Sequence, residues 1–416
     1  MQQTPKSLRL HIGIFGRTNV GKSSFLNMIA GQDVAITSPV PGTTTDVVEK
    51  PMELLPVGPV VFLDTAGLDD VSLLAERRLE RTRKAMDRCD VAIVITEPGV
   101  WKDFEKNITA ELKARKKPFI VVVNKVDGGS IDAPFQAVLK DVTDDLLVCS
   151  SIVPGRRDAF VHELKRLLIK VCPEELMRPL LLVGDLVPPG GMVVLVIPID
   201  KEAPKGRVIL PQVQVLRDAL DHDIASLIVK ENELARDIAR LNVPPDLVVC
   251  DSQVVDKMVA HTPEGVACTT FSILFARFKG DLDELARGAA HIASLKPGDK
   301  ILIAESCSHH AIDDDIGRVK LPRWLTRYVG GELAVSHCAG RDYPANLKDY
   351  KLIIHCGSCM LTRGEMLFRI DQAQEKGIPI TNYGVAIAFV QGVLKRVLSP
   401  FPSALNAFEK ERLLCK

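Results

Sequence analysis

The run Gly16-Arg17-Thr18-Asn19-Val20-Gly21-Lys22-Ser23 lies between an apolar stretch, His11 to Phe15, and a helix-forming segment, Ser23 to Ala30. No other feature constrains the fold as tightly. A Gly-x-x-x-x-Gly-Lys-Ser loop wraps phosphates with its backbone N–H groups, so it needs a strand before it and a helix after it. Lys22 is expected to pair with the β and γ phosphates and Ser23 to ligate Mg2+, with Gly16, Asn19, Gly21 and Ser24 completing the loop. Such an opening commits the first part of the chain to a mostly parallel α/β sheet.

Three further segments narrow the nucleotide to GTP or GDP. Asp64-Thr65-Ala66-Gly67 follows the apolar run Val60–Leu63. There Asp64 is expected to hold Mg2+ and the Gly67 amide to face the γ-phosphate. Asn124-Lys125-Val126-Asp127 follows Phe119–Val123, and Asp127 can accept both N–H groups of a guanine edge, which adenine does not offer. Ser150-Ser151 follows Leu147–Cys149 and can donate a backbone amide to the guanine oxygen. All of these segments fall at expected carboxyl ends of strands, where such sheets bind ligands. Thr43-Thr44-Thr45-Asp46 stands where a first switch loop belongs, and Thr44 is expected to reach Mg2+ when triphosphate is bound. Asp69 to Leu79 is expected to form the second switch.

Over residues 10–170 the arrangement resembles the translation-factor-related GTPases, especially the Era and TrmE-like group. Leu68 stands where Ras-like enzymes place a water-orienting glutamine. Leucine cannot orient water, so intrinsic hydrolysis is expected to be slow or rescued from elsewhere. In TrmE-like enzymes an asparagine of the phosphate loop helps bind K+, which acts like an arginine finger. The matching residue here is Asn19, so the resemblance implies K+-stimulated hydrolysis with Lys22, Thr44 and Asn19 as the catalytic group.

The chain has 416 residues, enough for two to four domains. Lys plus Arg and Asp plus Glu both total 53. The balance supplies no long-range attraction for nucleic acid or anionic lipid, and neither partner is expected. No apolar run approaches the ~18 residues of a membrane helix. Met1 to Leu10 lacks the apolar core of a signal peptide, so a cytoplasmic protein is expected.

Strand and helix patterns divide the chain into three. Residues 1–171 alternate strand and helix and end in a helix from Phe160 to Val171. Pro173 and Pro179 bracket a break. Residues 172–265 show strand-like runs at Met192–Ile197 and Arg207–Leu210, an amphipathic helix near Gln212–Leu220 and a charged helix near Lys230–Leu241. This strand-poor stretch carries no recognisable chemistry, and pairing an open edge with a second copy would complete its sheet. Residues 266–416 return to alternation, with strands at Lys300–Ala304, Leu333–Val335, Lys351–Ile354 and Pro379–Thr381. Helices are expected at Asp281–Ser294 and Thr362–Lys376. The fold expected is α/β throughout: a P-loop GTPase domain, a small α/β dimerisation domain and a doubly wound α/β metal-binding domain.

The last domain carries the second chemistry. Ten cysteines are scattered over the chain, most of them expected to be small buried hydrophobes. Cys307 and His309 follow the strand Lys300–Ala304, while His355, Cys356 and Cys359 follow Lys351–Ile354. Both pieces leave carboxyl ends of parallel strands and can face one crevice. A Cys-x-x-Cys turn brings two thiolates to one soft metal or cluster. Two readings stand: a closed, structural Cys3His zinc site, or a 4Fe–4S cluster on Cys307, Cys356 and Cys359. In the second, the fourth iron would take a weak ligand from His309, His355 or Glu305. Cys338 is a reserve ligand. His222, His261 and His291 stand alone and are expected to be surface or core residues.

Joined to the GTPase segments, the pattern Cys307-x-His309, a long spacer, then His355-Cys356-x-x-Cys359 resembles the iron-iron hydrogenase maturation GTPases, the HydF family. Gly191–Gln212 and Thr269-Thr270-Phe271-Ser272 through Gly280 look like that family too, so the resemblance covers nearly the whole chain. It implies a homodimeric scaffold that binds a 4Fe–4S cluster and holds a transient diiron subcluster precursor. The precursor is delivered to apo iron-iron hydrogenase, and radical-SAM maturases supply its parts. A different class, a ribosome- or RNA-associated GTPase with structural zinc, fits the GTPase segments alone. Zero net charge and the lack of a basic, aromatic-studded domain count against it.

Overall fold

The computed structural model describes residues 9–31, 48–64, 75–127, 130–153, 155–172, 181–199, 208–306, 315–340, 343–344, 346–358 and 361–415, with the side chains of Val48, Asp64 and 75–81 excepted. The chain divides into two compact units, Met1–Pro179 and Leu180–Lys416.

In the first unit, β1 (Leu10–Gly16), β3 (Gly58–Asp64), β4 (Val91–Thr96), β5 (Phe119–Val123) and β6 (Leu146–Val148) form a parallel sheet. β2 (Val48–Leu54) adds an antiparallel edge beside β3, giving the order β2-β3-β1-β4-β5-β6. The inner strands β1, β4 and β5 are buried on both faces, as a parallel sheet requires. Alternate β1 residues serve different cores: Ile12 and Ile14 pack on one face with Phe25 and Leu168, Phe15 on the other with Met86 and Leu112. Helices α1 (Lys22–Ala30), α2 (Ala75–Arg88), α3 (Asp103–Ala114), α4 (Ala133–Lys140) and α5 (Arg157–Val171) connect the strands.

The second unit contains two four-stranded sheets, each parallel throughout. The first has the order β10-β9-β7-β8, from β7 (Met192–Val196), β8 (Ala225–Val229), β9 (Leu247–Cys250) and β10 (Ala267–Thr270). The second has the order β12-β11-β13-β14, from β11 (Lys300–Glu305), β12 (Ala334–Ala339), β13 (Leu352–His355) and β14 (Ile380–Asn382). One continuous cluster of buried side chains, from Leu182 to Phe408, fills both.

These elements revise parts of the sequence reading. The middle region is not strand-poor, and its sheet passes residue 265 to include β10. Of the strand expected over Arg207–Leu210, Arg207 lies outside the described residues and the rest is not a strand: Leu210 opens α6 (Leu210–Asp221), with Pro211 in the first turn, where its missing N–H is harmless. The charged helix expected over Lys230–Leu241 shrinks to α7 (Leu234–Ile238). Next come α8 (Val255–His261), α9 (Phe271–Lys279), α10 (Leu282–Ala290) and α11 (Leu321–Val329). The last four are α12 (Arg363–Glu375), α13 (Tyr383–Val390), α14 (Leu394–Val397) and α15 (Pro402–Leu414). No helix among the described residues is long and apolar enough to cross a membrane.

Candidate functional site

The phosphate-loop sequence lies where expected, between β1 and α1. Gly21 caps α1 at φ 92, a left-handed conformation that suits glycine, and Asn19 is left-handed at φ 62. A Cβ on Gly21 would meet Asn124 Nδ2 at 2.3 Å, so the position demands glycine twice over. Lys22 is buried and donates from Nζ to the carbonyls of Gly16 at 2.8 Å and Arg17 at 2.7 Å, bridging the start of the loop. Ser23, Ser24 and Asn19 are exposed.

The two base-reading segments are tied to that loop by one side chain. Asn124, almost fully buried, donates from Nδ2 to the Val20 carbonyl at 3.0 Å and accepts at Oδ1 from the Ser151 backbone N–H at 3.0 Å. Ser150 Oγ donates to Asp127 Oδ1 at 2.6 Å. Lys125 is left-handed at φ 62 and pairs with Glu97 at 2.6 Å. One contact was not foreseen: Arg17, within the phosphate loop, makes a two-pronged ion pair with buried Glu105 at 2.7 and 2.8 Å. Asp64 ends β3 in register with Ile14 of β1. Thr44, Gly67 and Leu68 lie outside the described residues, as does most of the expected second switch.

The second site occupies a topological switch point. From β11 the chain crosses to β12 on one side, then returns past β11 to β13 and β14 on the other. The crevice between the carboxyl ends of β11 and β13 is where such a sheet binds ligands. Ser306 and Cys356 meet there. The Cys356 N–H donates to the Ala304 carbonyl at 2.8 Å, extending the ladder past the strand end. Its Sγ accepts the Ser306 backbone N–H at 3.2 Å and lies 3.1 Å from Ser306 Oγ. Burial pushes this thiol up; the adjacent His355 when it carries a second proton, the Ser306 hydroxyl and the Ser358 N–H pull it down. The hydrogen bonds from Ser306 favour the thiolate, the form that ligates metal. Cys307 and Cys359, one residue beyond Ser306 and Ser358, lie outside the described residues with His309.

His355 differs from expectation. It is fully buried, and Arg369 Nη1 points at its Nε2. A guanidinium can only donate, so Nε2 accepts and the proton sits on Nδ1. That nitrogen faces the Cys356 carbonyl at 3.0 Å and Ser358 Oγ at 3.1 Å. With both nitrogens engaged, His355 is a strut of the loop in this structure rather than a free ligand. Arg369 also donates to the Gly340 carbonyl at 2.7 Å and stacks on Tyr343. Glu305 is buried at the end of β11, with Tyr383 Oη and Arg318 Nη2 each 3.3 Å from its carboxylate. Cys338 sits in register with Ala304, the residue that also pairs with His355.

Two further features escaped the sequence reading. Lys279, at the end of α9, is buried and donates to the carbonyls of Ser358 at 3.2 Å and Leu361 at 2.8 Å. His291 is not alone: its ring lies against Glu411 and Cys415. Only the near-helical spacing of Glu411 and Cys415 could have hinted at that trio.

Fold and first site together define a P-loop GTPase joined to a second α/β unit with its own crevice. Residues 11–125 match the family described as 50S ribosome-binding GTPase, residues 182–280 the hydrogen maturase F dimerization domain and residues 283–400 the hydrogen maturase F tetramerization domain. The chain belongs to the hydrogen maturase F family, and it is a GTPase that carries the family's two self-association domains. The sequence reading had foreseen a homodimer and left open whether higher oligomers form.

Among individual relatives, the tRNA modification GTPase MnmE of Bordetella petrii is 42% identical over 132 residues, covering 31% of this chain and 28% of that protein. GTPase Der of Wolinella succinogenes is 34% identical over 146 residues, 34% of this chain and 30% of that one. The chain spans about a quarter to a third of the length of the curated relatives it matches. Among solved structures, Aquifex aeolicus Era bound to GDP.AlF4- aligns at 20% identity and TM-score 0.32, covering 53% of this chain and 92% of that one.

Proposed function

We propose that this chain is a GTP-hydrolysing carrier that holds a 4Fe–4S cluster at the β11–β13 crevice, carries a diiron subcluster precursor as cargo and delivers it to apo iron-iron hydrogenase. Radical-SAM maturases would supply the cargo, and the cytoplasm is the expected setting. The observation that carries the reading is the Cys356 Sγ, which accepts the Ser306 N–H at a switch point that two further cysteines flank in sequence.

In this reading Cys307, Cys356 and Cys359 ligate the cluster, and the fourth ligand comes from His309 or Glu305, since both His355 nitrogens are bonded. A bound 4Fe–4S cluster would supply an iron with an exchangeable position. The protein's own part is to fix the ligand loop. Lys279 ties down the carbonyls at 358 and 361, and Arg369 locks the His355 ring. The N–H of Ser306 keeps negative charge on Cys356. The donor set suits a soft-metal group: one thiolate, N–H donors and no competing disulfide among the described residues.

In the first unit, Lys22 would contact the β and γ phosphates. Ser23, Thr44 and Asp64 would hold Mg2+. Asp127, with Ser150 and Ser151, would read guanine, and Asn19 would help seat K+. The deciding measurement is iron, sulfide and EPR on anaerobically purified protein beside Cys356→Ser. About four irons per chain, with a reduced-cluster signal lost in the variant, is the expected result. Stoichiometric zinc without iron, even after reconstitution, would defeat the carrier reading and favour a GTPase with structural zinc.

A further inference from the structure

Three donors of different chemistry converge far from the crevice. Helix α15 packs along α10, and its last turn brings Glu411 and the following Cys415 to one side, four residues apart. Spacing of i, i+4 stacks two side chains on one helix face and lets both reach one ion. His291, just after α10, faces them. Its Nε2 is 3.1 Å from Glu411 Oε1 and its Nδ1 is 3.6 Å from Cys415 Sγ. One donor atom from each residue lies within 4.8 Å of the other two, and all three residues are half-buried. Bonds of ~2.0–2.3 Å in a tetrahedral zinc site put ligand atoms roughly 3.3–3.8 Å apart, so side-chain rotation of about 1 Å would close this trio on one ion.

We propose that His291, Glu411 and Cys415 form a second metal site, for a zinc-type divalent ion, independent of the cysteine crevice. One ring nitrogen of His291, one carboxylate oxygen and one thiolate make a three-ligand set with an open fourth position. The mixture selects the ion: thiolate with imidazole excludes Mg2+ and Ca2+, and a carboxylate disfavours Cu(I). Binding exchanges the Cys415 thiol proton for the ion, which replaces the hydrogen bond between His291 and Glu411. Only the turn Leu295–Asp299 and the short helix before it separate His291 from β11, so the trio lies toward the amino end of that sheet. The crevice is at the other end, about 17 Å away along a six-residue strand. The ion would pin α15, which lies just beyond the stretch 283–400 matched to the tetramerization domain, to His291 within it.

The test uses the full chain with Cys307, Cys356 and Cys359 all changed to Ser, which removes the crevice thiols and separates this proposal from the carrier reading. Anaerobic titration with Co2+ is expected to give about one bound ion per chain with a thiolate-to-cobalt charge-transfer band. Adding Cys415→Ser should abolish the band, while His291→Gln or Glu411→Gln should weaken binding at least about tenfold at unchanged circular dichroism. A parent without the band, or a band unaltered by both Cys415→Ser and His291→Gln, overturns the proposal. If Cys415→Ser fails to fold, the His291→Gln and Glu411→Gln titrations decide alone.

Discussion

Lys279 places its ammonium 2.8 Å from the carbonyl oxygen of Leu361, reaching from the last residue of α9 into the loop that follows Cys356. The same ammonium holds the Ser358 carbonyl. A buried lysine so used is a loop anchor. Lys279→Met keeps the stem and removes the donor, leaving two carbonyls short of a partner, each worth about 1–3 kcal/mol if it stays buried. The expected result is faster amide hydrogen exchange over residues 356–362 and a lower urea midpoint, with GTP binding unchanged. Unaltered exchange in that loop would remove the anchor role.

Gly21→Ala tests the other loop. The left-handed backbone costs a β-carbon about 1–2 kcal/mol, and the new atom lands on the Asn124 amide that ties the phosphate loop to Ser151. GTP affinity should fall by at least about tenfold, the equivalent of 1.4 kcal/mol, as read with a fluorescent GTP analogue. Wild-type affinity in the variant would mean that Asn124 moves aside freely.

If Asn19 seats K+ beside the phosphates, GTP turnover should be faster in K+ than in Na+ by about an order of magnitude or more, since the ion takes an arginine finger's place. Asn19→Ala should erase the difference. Equal rates in both salts for the parent protein would dispose of the idea.

The thiols of the first unit carry a pH signature. Burial pushes Cys89, Cys149 and Cys172 each up to about 12. An unfolded cysteine loses its proton near ~8.5, so the folded state binds more protons above that pH. Their contribution is fully present below about 8.5 and is lost as pH climbs toward 12. Urea midpoints should therefore fall from pH 7.5 to 9.5. Native alkylation at pH 7.5 should spare all three while modifying Cys356 in iron-free protein. Labelling of Cys149 before unfolding would contradict the burial argument.

The phosphate-loop and base-reading segments were legible as neighbours because motif chemistry dictates both residue type and order: Asn124 joins the Val20 carbonyl to the Ser151 N–H. The crevice was legible as a place, since a strand end before Cys356 was plain in Lys351–Ile354. The role of His355 was not, because it depends on Arg369, fourteen positions on along a helix. The middle sheet hid for another reason. β10 is Ala-Cys-Thr-Thr, too small and polar to announce a strand, and becomes one by pairing with Leu247–Cys250. Leu210 was drawn toward a strand by its apolar neighbours, although Pro211 marked a helix start. His291 and Cys415 are more than a hundred residues apart, and no local pattern joins them.

The single core that fills both parallel sheets bears on how this chain could be dissected or recombined. Its two family segments meet between α9 and α10, helices separated by only Gly280 and Asp281, and neither segment owns a complete interior. Excising either as a portable cassette would remove side chains that the other packs against. The segment matched to the dimerization domain and the segment that holds the cysteine loop thus stand or unfold together.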